Sequence, residues 1–319
     1  MAPLAPEDVV HHCHGIHAID TGFIRPRFDA SHLLVEGGRA AFVDIGTNHS
    51  IPRLLAALER LDVARDAVDW VILTHVHLDH AGGAGLLMQS LPQAKLIVHP
   101  RGARHMIDPS KLIAGATAVY GEAEMQRSYG TLVPVPAERV IEAPDEFVLS
   151  LGGRALRFFD TPGHARHHFC VWDEASRSFF TGDTFGLAYP ELAGPRGPFL
   201  IPTTTPVQFE PEALHASIDR LMAMRPEAMF LTHYSRVTGL EPLAASLHEQ
   251  IDAQVGLGRG AAARADRSAY LRAAIADQFR ARAADLGCPL TGAAFDALLA
   301  LDVELNAQGL EVWLDKPSR

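Results

Sequence analysis

Four metal-competent side chains stand within six consecutive positions of this chain, in the run Thr74-His75-Val76-His77-Leu78-Asp79-His80-Ala81-Gly82-Gly83. Imidazole and carboxylate suit borderline divalent ions such as zinc, and four such groups this close are hard to bury without a cation to balance them. Three later segments repeat the arrangement of an apolar run followed at once by a ligand type. They are Phe158-Phe159-Asp160-Thr161-Pro162-Gly163-His164, Phe179-Phe180-Thr181-Gly182-Asp183-Thr184 and Met229-Phe230-Leu231-Thr232-His233. Singly, His164, Asp183 and His233 would more often be hydrogen-bonded structural residues; their shared place after apolar runs is what lifts them. His75, His77, Asp79, His80, His164, Asp183 and His233 are too many for one tetrahedral ion, and suit two ions that share a carboxylate.

Such a cluster needs strands that end together. Val68 to Leu73 is a strongly apolar run that reads as a buried strand delivering the first cluster, with glycines opening the next element. Before it, extended segments at Gly15 to Ile19, Ser31 to Glu36 and Ala40 to Asp44 are joined across Gly37-Gly38, a hairpin signal. Leu54, Leu55, Leu58 and Leu61 recur at helical spacing between residues 50 and 61. A helix over Gly83 to Leu91, a strand at Lys95 to Val98 and a mostly helical insertion from Pro100 to Gly130 follow. A second hairpin, Glu146 to Leu151 and Ala155 to Asp160 around Gly152-Gly153, opens a half that mirrors the first, with strands at His168 to Trp172, Ser178 to Thr181 and Ala228 to Leu231. Ala188 to Pro211 carries six prolines and Thr203-Thr204-Thr205, the mark of an ordered loop without regular structure. Glu212 to Met224 reads as a helix. Beyond Gly239 the chain turns alanine-rich and helical, with glycines 256, 258 and 260 expected to break the first helix from the second; its apolar stripes would serve as packing, a homodimer face or a substrate wall.

The 319 residues are 48% hydrophobic, enough for one large domain with an appendage. A net charge of −10 and the lack of a basic run argue against nucleic acid and anionic membrane as partners. No apolar stretch reaches the length of a membrane span, and no secretory leader is legible in Met1 to Val10. Cys13, Cys170 and Cys288 cannot all pair, so a reducing cytoplasm is the expected location.

The ordered series Asp44-Ile45-Gly46, Thr74 to Gly83, Pro162-Gly163-His164, Gly182-Asp183 and Thr232-His233 resembles the metallo-β-lactamase superfamily over about residues 15 to 240. The resemblance implies an α/β fold, the αβ/βα four-layer sandwich, here with residues 1–240 as catalytic domain and 241–319 as a helical extension packed on it. It assigns His75, His77 and His164 to one metal ion and Asp79, His80 and His233 to a second, with Asp183 bridging. The β-lactamases proper have a cysteine where this chain has Asp183, which directs the expectation away from antibiotics.

Two divalent ions, zinc first with iron or manganese as alternatives, would lower the pKa of a shared water so that a bridging hydroxide forms at neutral pH. Asp79 is the expected proton acceptor and donor. Asp44 either caps its strand or orients a ligand imidazole, and His168 keeps a polar position behind the ligands. Arg166 and His167, next to a ligand, together with Tyr189 and Lys111 are candidate substrate contacts. Arg101, Arg104 and Tyr120 on the insertion could overhang the site or simply be solvated. His11, His12, His14 and His17 read as a solvated terminal run. The expected activity is hydrolysis of a thioester, ester or lactone in a small-molecule substrate. A phosphodiesterase, and an iron-dependent dioxygenase of the persulfide dioxygenase type, are the alternatives.

Overall fold

The structure, a computed structural model, describes residues 4–316, apart from the side chains of residues 119 and 120. The first residues of the Met1 to Val10 segment and the side chain of Tyr120 therefore lie outside the described part. Extended, β-branched runs of the first half form a sheet of β1 (Val9–His12), β2 (Ile16–Asp20), β3 (Ala30–Glu36), β4 (Arg39–Val43), β5 (Val68–Ile72), β6 (Lys95–Val98) and β7 (Val140–Glu142). Its strands neighbour one another in chain order, antiparallel from β1 to β4 and parallel from β4 to β7. The second sheet holds β8 (Val148–Leu151), β9 (Arg154–Asp160), β10 (Phe169–Asp173), β11 (Ser178–Gly182), β12 (Ala228–Leu231) and β13 (Ser235–Val237). These run in the order β13-β12-β11-β10-β9-β8, with β11 and β12 the one parallel pair.

Both hairpin glycine pairs take positive φ, as tight two-residue turns require. The turns also meet: a Cβ on Gly152 would sit 2.2 Å from the Glu36 carbonyl oxygen, and one on Gly37 would sit 2.9 Å from that of Gly152. Any side chain there would push the two sheets apart.

The sheets face each other across a core that includes Leu34, Val43 and Ile72 from one and Phe158, Phe169 and Phe230 from the other. Neighbouring residues on the same strands point the opposite way. Phe42 and Val71 lie under α1 (Ile51–Arg60), α3 (Ala84–Ser90) and α4 (Pro100–Ile107). Met229 and Leu231 lie under α7 (Pro211–Ala223), α8 (Leu240–Ala261), α9 (Arg267–Leu286), α10 (Gly292–Leu298) and α11 (Ala300–Leu314). Short α2 (Leu78–Ala81) follows β5, and α5 (Ser110–Tyr120) and α6 (Glu122–Ser128) complete the insertion. The layers are thus helix, sheet, sheet, helix, the sandwich expected. Strands covered on both faces are apolar at consecutive positions rather than alternate ones, which is why they read as continuous runs.

Glycines 256, 258 and 260 do not break the helix, which continues to Ala261. Leu243, Leu247, Ile251 and Val255 are buried on α8, and that burial outweighs a cost of about 1 kcal/mol per helical glycine. Gly258 is small for a reason: a Cβ there would stand 3.3 Å from the Trp313 ring, where α11 seats against α8. The histidine-rich amino terminus is strand, with His11 and His12 on β1 and His11 Nδ1 2.8 Å from His17 Nδ1 on β2, while His11 and His14 are exposed to solvent. The proline-rich segment holds only the short turn Pro190–Leu192 and isolated bridges between Leu187 and Ile201 and between Gly194 and Gly197.

Candidate metal centre

β4 and β5 run parallel, so their carboxyl ends coincide and deliver Asp44 and the Thr74 to His80 segment to one edge. β11 and β12 do the same for Asp183 and for Thr232-His233, while the connection from β9 to β10 brings in His164. All seven expected ligands meet there. Ligand atoms of His75, His77, His164 and Asp183 lie within 4.8 Å of one another, as do those of Asp79, His80 and His233, so each group could hold a metal ion. Asp183 faces both groups: Oδ2 is 3.4 Å from His164 Nε2, and Oδ1 is 3.3 Å from His80 Nε2. Asp79 Oδ2 lies 3.4 Å from His233 Nε2.

Partners on the outward ring nitrogens turn the inward ones toward one another, with His77 Nδ1 2.8 Å from His75 Nε2 and 3.1 Å from His164 Nε2. His80 Nδ1 donates to Asp44 Oδ2 at 2.7 Å and His233 Nδ1 donates to the Phe28 carbonyl at 2.8 Å. His164 Nδ1 faces the Thr203 carbonyl at 3.4 Å and Thr205 Oγ1 at 3.2 Å, and His75 Nδ1 faces Thr74 Oγ1 at 3.2 Å. Donation outward leaves lone pairs inward. His80 Nε2 and Asp183 Oδ1 then face each other at 3.3 Å, both buried and neither with any other polar partner in hydrogen-bond geometry. Buried polar atoms are rarely left so, and a cation between them satisfies both. The donor set therefore fits divalent ions.

Electrostatics point the same way. Burial, helped by the neighbouring imidazoles, pushes His75 well below its ordinary value and His77 down to about 3, leaving both neutral. Burial also lowers His164, against the pull of Asp183. For His80 burial works downward too, yet Asp183 and Asp44 outweigh it and raise the ring well above the usual range. His233 is lifted against burial to about 9 by its contact with Asp79 and the charge of Asp183. Burial would raise Asp79 and Asp183, but the charge of His80 outweighs it and holds both below the usual carboxylate range. The carboxylates draw positive charge to this spot, whether as protons on two imidazoles or as a cation.

Asp44 is more than a strand cap. It is fully buried, takes a φ of 48°, and accepts from His80, from Thr232 Oγ1 at 2.6 Å, and from Thr74 through both its hydroxyl at 2.8 Å and its backbone N–H at 2.8 Å. His168 stacks on His75 with ring centroids 4.8 Å apart, and its Nε2 accepts from the Asp183 backbone N–H at 3.3 Å. Gly182 makes that approach feasible: with φ at 47°, a Cβ there would lie 2.4 Å from Thr74 Oγ1 and 2.7 Å from His168 Nε2.

A cavity of about 1070 Å³ opens on this edge, and His77, Asp79, Asp183 and His233 form part of its wall. His167, Lys111 and Tyr189, expected as substrate contacts, also line it. Burial, with His77, pushes His167 down to about 3. Tyr189 donates its hydroxyl to Asp302 Oδ1 at 2.9 Å, so it offers the cavity a ring wall. Arg166 is directed elsewhere, its guanidinium held by Glu210 and its carbonyl accepting from Arg101. Sequence reasoning allowed the terminal helices a substrate wall but did not single out Leu301, Asp302, Leu305 and Asn306 of α11 as the residues that line the cavity. A helical apolar stripe has the same spacing whether it packs or lines a wall, so no local signal could have separated the two.

A family model described as the metallo-beta-lactamase superfamily matches residues 24–233. A metallo-beta-lactamase fold-containing protein of Sulfurisphaera tokodaii is 29% identical over 226 residues, 69% of this chain and 78% of the relative. The crystal structure of the archaeal superfamily protein ST1585 from Sulfolobus tokodaii superposes with a TM-score of 0.66 at 24% identity, covering 94% of this chain and 99% of that one. A hydroxyacylglutathione hydrolase of Acidiphilium cryptum is 31% identical over 202 residues, 62% of this chain and 61% of the relative. An acyl-coenzyme A thioesterase of Gallus gallus is 28% identical over 186 residues, 53% of this chain and 62% of the relative. This chain thus spans less than two thirds of the length of the last two.

Proposed function

Because this chain belongs to the metallo-beta-lactamase superfamily, we propose that it is a metal-dependent hydrolase of thioesters, esters or lactones that holds two divalent ions, with zinc the match to its donor set. The observation that carries this reading is the buried pair His80 Nε2 and Asp183 Oδ1, 3.3 Å apart and with no other polar partner in hydrogen-bond geometry, amid five further ligand types. His75, His77 and His164 would hold one ion, Asp79, His80 and His233 the other, and Asp183 both. Ions bound there supply Lewis acidity toward a carbonyl oxygen and lower the pKa of water toward neutrality.

The chain's own residues do the rest. Asp44 fixes the ring of His80 through Nδ1, and the Phe28 carbonyl fixes that of His233. Asp79 keeps about a quarter of its side-chain surface accessible and lies on the cavity wall, ionised by His80 and His233. It is placed to take a proton from attacking water and return it to the leaving group. No serine or cysteine nucleophile is needed. The substrate is a small molecule, and a chain of net charge −10 favours no polymeric nucleic acid. Among the described residues no helix is long and apolar enough to cross a membrane. All three cysteines are free, the state that a reducing compartment maintains.

The test is elemental analysis of the purified protein combined with a panel of thioester, ester and lactone substrates. Two equivalents of metal per chain and turnover of at least one substrate class are expected, lost together on chelation or in Asp183→Asn and restored in the chelated wild type by zinc. Undiminished turnover by the fully chelated protein would sink the reading.

A further inference from the structure

Resting on that reading, we propose a substrate class: an acyl thioester with a long apolar acyl group and an anionic carrier, the acyl chain filling the cavity and the carrier's charge lying against Lys111 and Arg104. The cavity's volume, about 1070 Å³, stands at the upper end for small-molecule sites. Its apolar wall comes from segments far apart in the chain. Phe23 and Phe28 follow β2, Leu112 and Ala116 come from α5, and Leu301 and Leu305 from α11. A small polar acyl group would leave that wall against water.

The mouth carries the same character. Of the six large apolar side chains exposed among the described residues, Ile24 at 57%, Val207 at 54% and Leu301 at 39% all line this cavity. Three elements thus present apolar surface to solvent around one opening, which is where an amphiphile would enter. Charge is arranged beside it. Arg127 on the wall is already held by Glu124. Lys111 and His105, also on the wall, are joined by Arg104, whose Nε stands 3.4 Å from His105 Nε2. Neither Lys111 nor Arg104 makes an ion pair among the described residues, on a chain whose net charge is −10. The Asp108 carboxyl is held down by hydrogen bonds from Ser110 and partly by the charge of Lys111, but neither Lys111 nor Arg104 is locked in an ion pair there. Such a cationic group at the mouth of an apolar chamber fits a molecule with an apolar tail and an anionic head.

The reacting bond would lie between the two regions, at His77, Asp79 and His233. There the acyl carbon gains the oxygen of water and the C–S bond breaks. The proton that Asp79 takes from the water goes to the departing thiolate.

The experiment compares butanoyl-, octanoyl-, dodecanoyl- and hexadecanoyl-coenzyme A on the zinc-loaded protein, and titrates the free fatty acids of those lengths into the metal-free protein by calorimetry. Affinity and kcat/KM should rise by up to about fourfold per added methylene until the chamber is filled. Gly115→Leu tests the chamber without threatening the fold. That glycine lines the cavity on α5, a Cβ there meets nothing within 4 Å, and leucine is the better helix former. The variant should move the preferred length to shorter chains. Lys111→Glu should raise KM for dodecanoyl-coenzyme A about fivefold or more at low salt, with a much smaller rise for the uncharged dodecanoyl N-acetylcysteamine thioester. A flat length profile, or a preference for short polar acyl groups that Gly115→Leu leaves unmoved, would overturn the substrate class and leave the hydrolase standing. Length-dependent fatty-acid binding with no turnover of any thioester, ester or lactone would support the chamber and overturn the proposed function instead.

Discussion

Replacing Asp44 by asparagine should separate the two halves of the metal centre. The side chain is fully buried and accepts from four donors: Thr74 N and Thr74 Oγ1 at 2.8 Å, Thr232 Oγ1 at 2.6 Å and His80 Nδ1 at 2.7 Å. Asparagine keeps the size but only one acceptor oxygen. The Thr74 backbone N–H, which cannot rotate, claims that oxygen, so the amide NH₂ falls where Oδ2 stood. The threonine hydroxyls can turn and accept from it. The imidazole of His80 cannot, unless its proton moves from Nδ1 to Nε2, and that removes the inward lone pair the ion needs. Loss of such an orienting contact costs about 10- to 100-fold in metal affinity, or about 1.4 to 2.8 kcal/mol. Asp44 makes no hydrogen bond to His75, His77, His164 or Asp183 and reaches that group only through Thr74 Oγ1, which faces His75 Nδ1 at 3.2 Å, so the group should lose much less affinity. Stepwise titration of the metal-free protein with zinc against a chromophoric chelator should therefore find one site near wild-type affinity and one weakened. Two wild-type sites, or two equally weakened ones, would refute both the orienting role and the division of ligands.

Gly182→Ala places a Cβ 2.4 Å from Thr74 Oγ1 and 2.7 Å from His168 Nε2 at a φ of 47°. Overpacking and left-handed strain together should cost at least about 2 kcal/mol, seen as a fall in Tm of about 3 °C or more; an unchanged Tm would show that the contact yields freely. Asp302 gives a pH dependence. Burial raises its carboxyl to about 6, against the hydrogen bond from Tyr189. The folded chain holds this proton more tightly than the unfolded chain, where aspartate titrates near 3.9, so the stability it confers is full below about pH 4 and lost as pH rises through 6. The loss amounts to roughly 3 kcal/mol at most. Asp302→Asn stays uncharged, so its stability relative to wild type should improve by up to that amount between pH 4 and pH 8 in urea denaturation. A gap that does not change with pH would refute the assignment.

The candidate ligands were legible because each follows closely on an apolar strand, so a local pattern recorded a three-dimensional fact: parallel neighbours β4 and β5, and β11 and β12, end at one edge. Some strand bounds were legible for the same reason, Lys95–Val98 and Ala228–Leu231 among them, whereas the short strands β1, β7 and β13 were not expected. Illegible features depend on partners distant in the chain. Arg166 sits two residues after a ligand and looked like a substrate contact, but Glu210, forty-four positions on, holds it. Glycines 256, 258 and 260 looked like breakers because propensity is local, while the Trp313 ring that makes Gly258 useful arrives from another helix.

That distance also bears on what the terminal helices do for the centre. Asn306 of α11 accepts from the Thr204 backbone N–H at 3.0 Å and donates to the Pro202 carbonyl at 3.0 Å, while Gln254 of α8 accepts from Thr204 Oγ1 at 2.8 Å. Gly309 brings α11 so close that a Cβ would stand 1.7 Å from the Thr204 carbonyl oxygen. The loop so clamped is the one that meets the centre. Thr203 and Thr205 face His164 Nδ1, and Thr203 Oγ1 donates to the Asp183 carbonyl at 2.9 Å. A single layer of loop therefore stands between helices that shape the cavity wall and two residues, His164 and Asp183, proposed to hold the first metal ion. Buried polar contacts of this kind fix one arrangement at the expense of others, since each broken partner leaves an unsatisfied atom. The strand ends set which groups can meet an ion; the helices beyond residue 240 set how rigidly His164 and Asp183 are held and what shape of substrate reaches them.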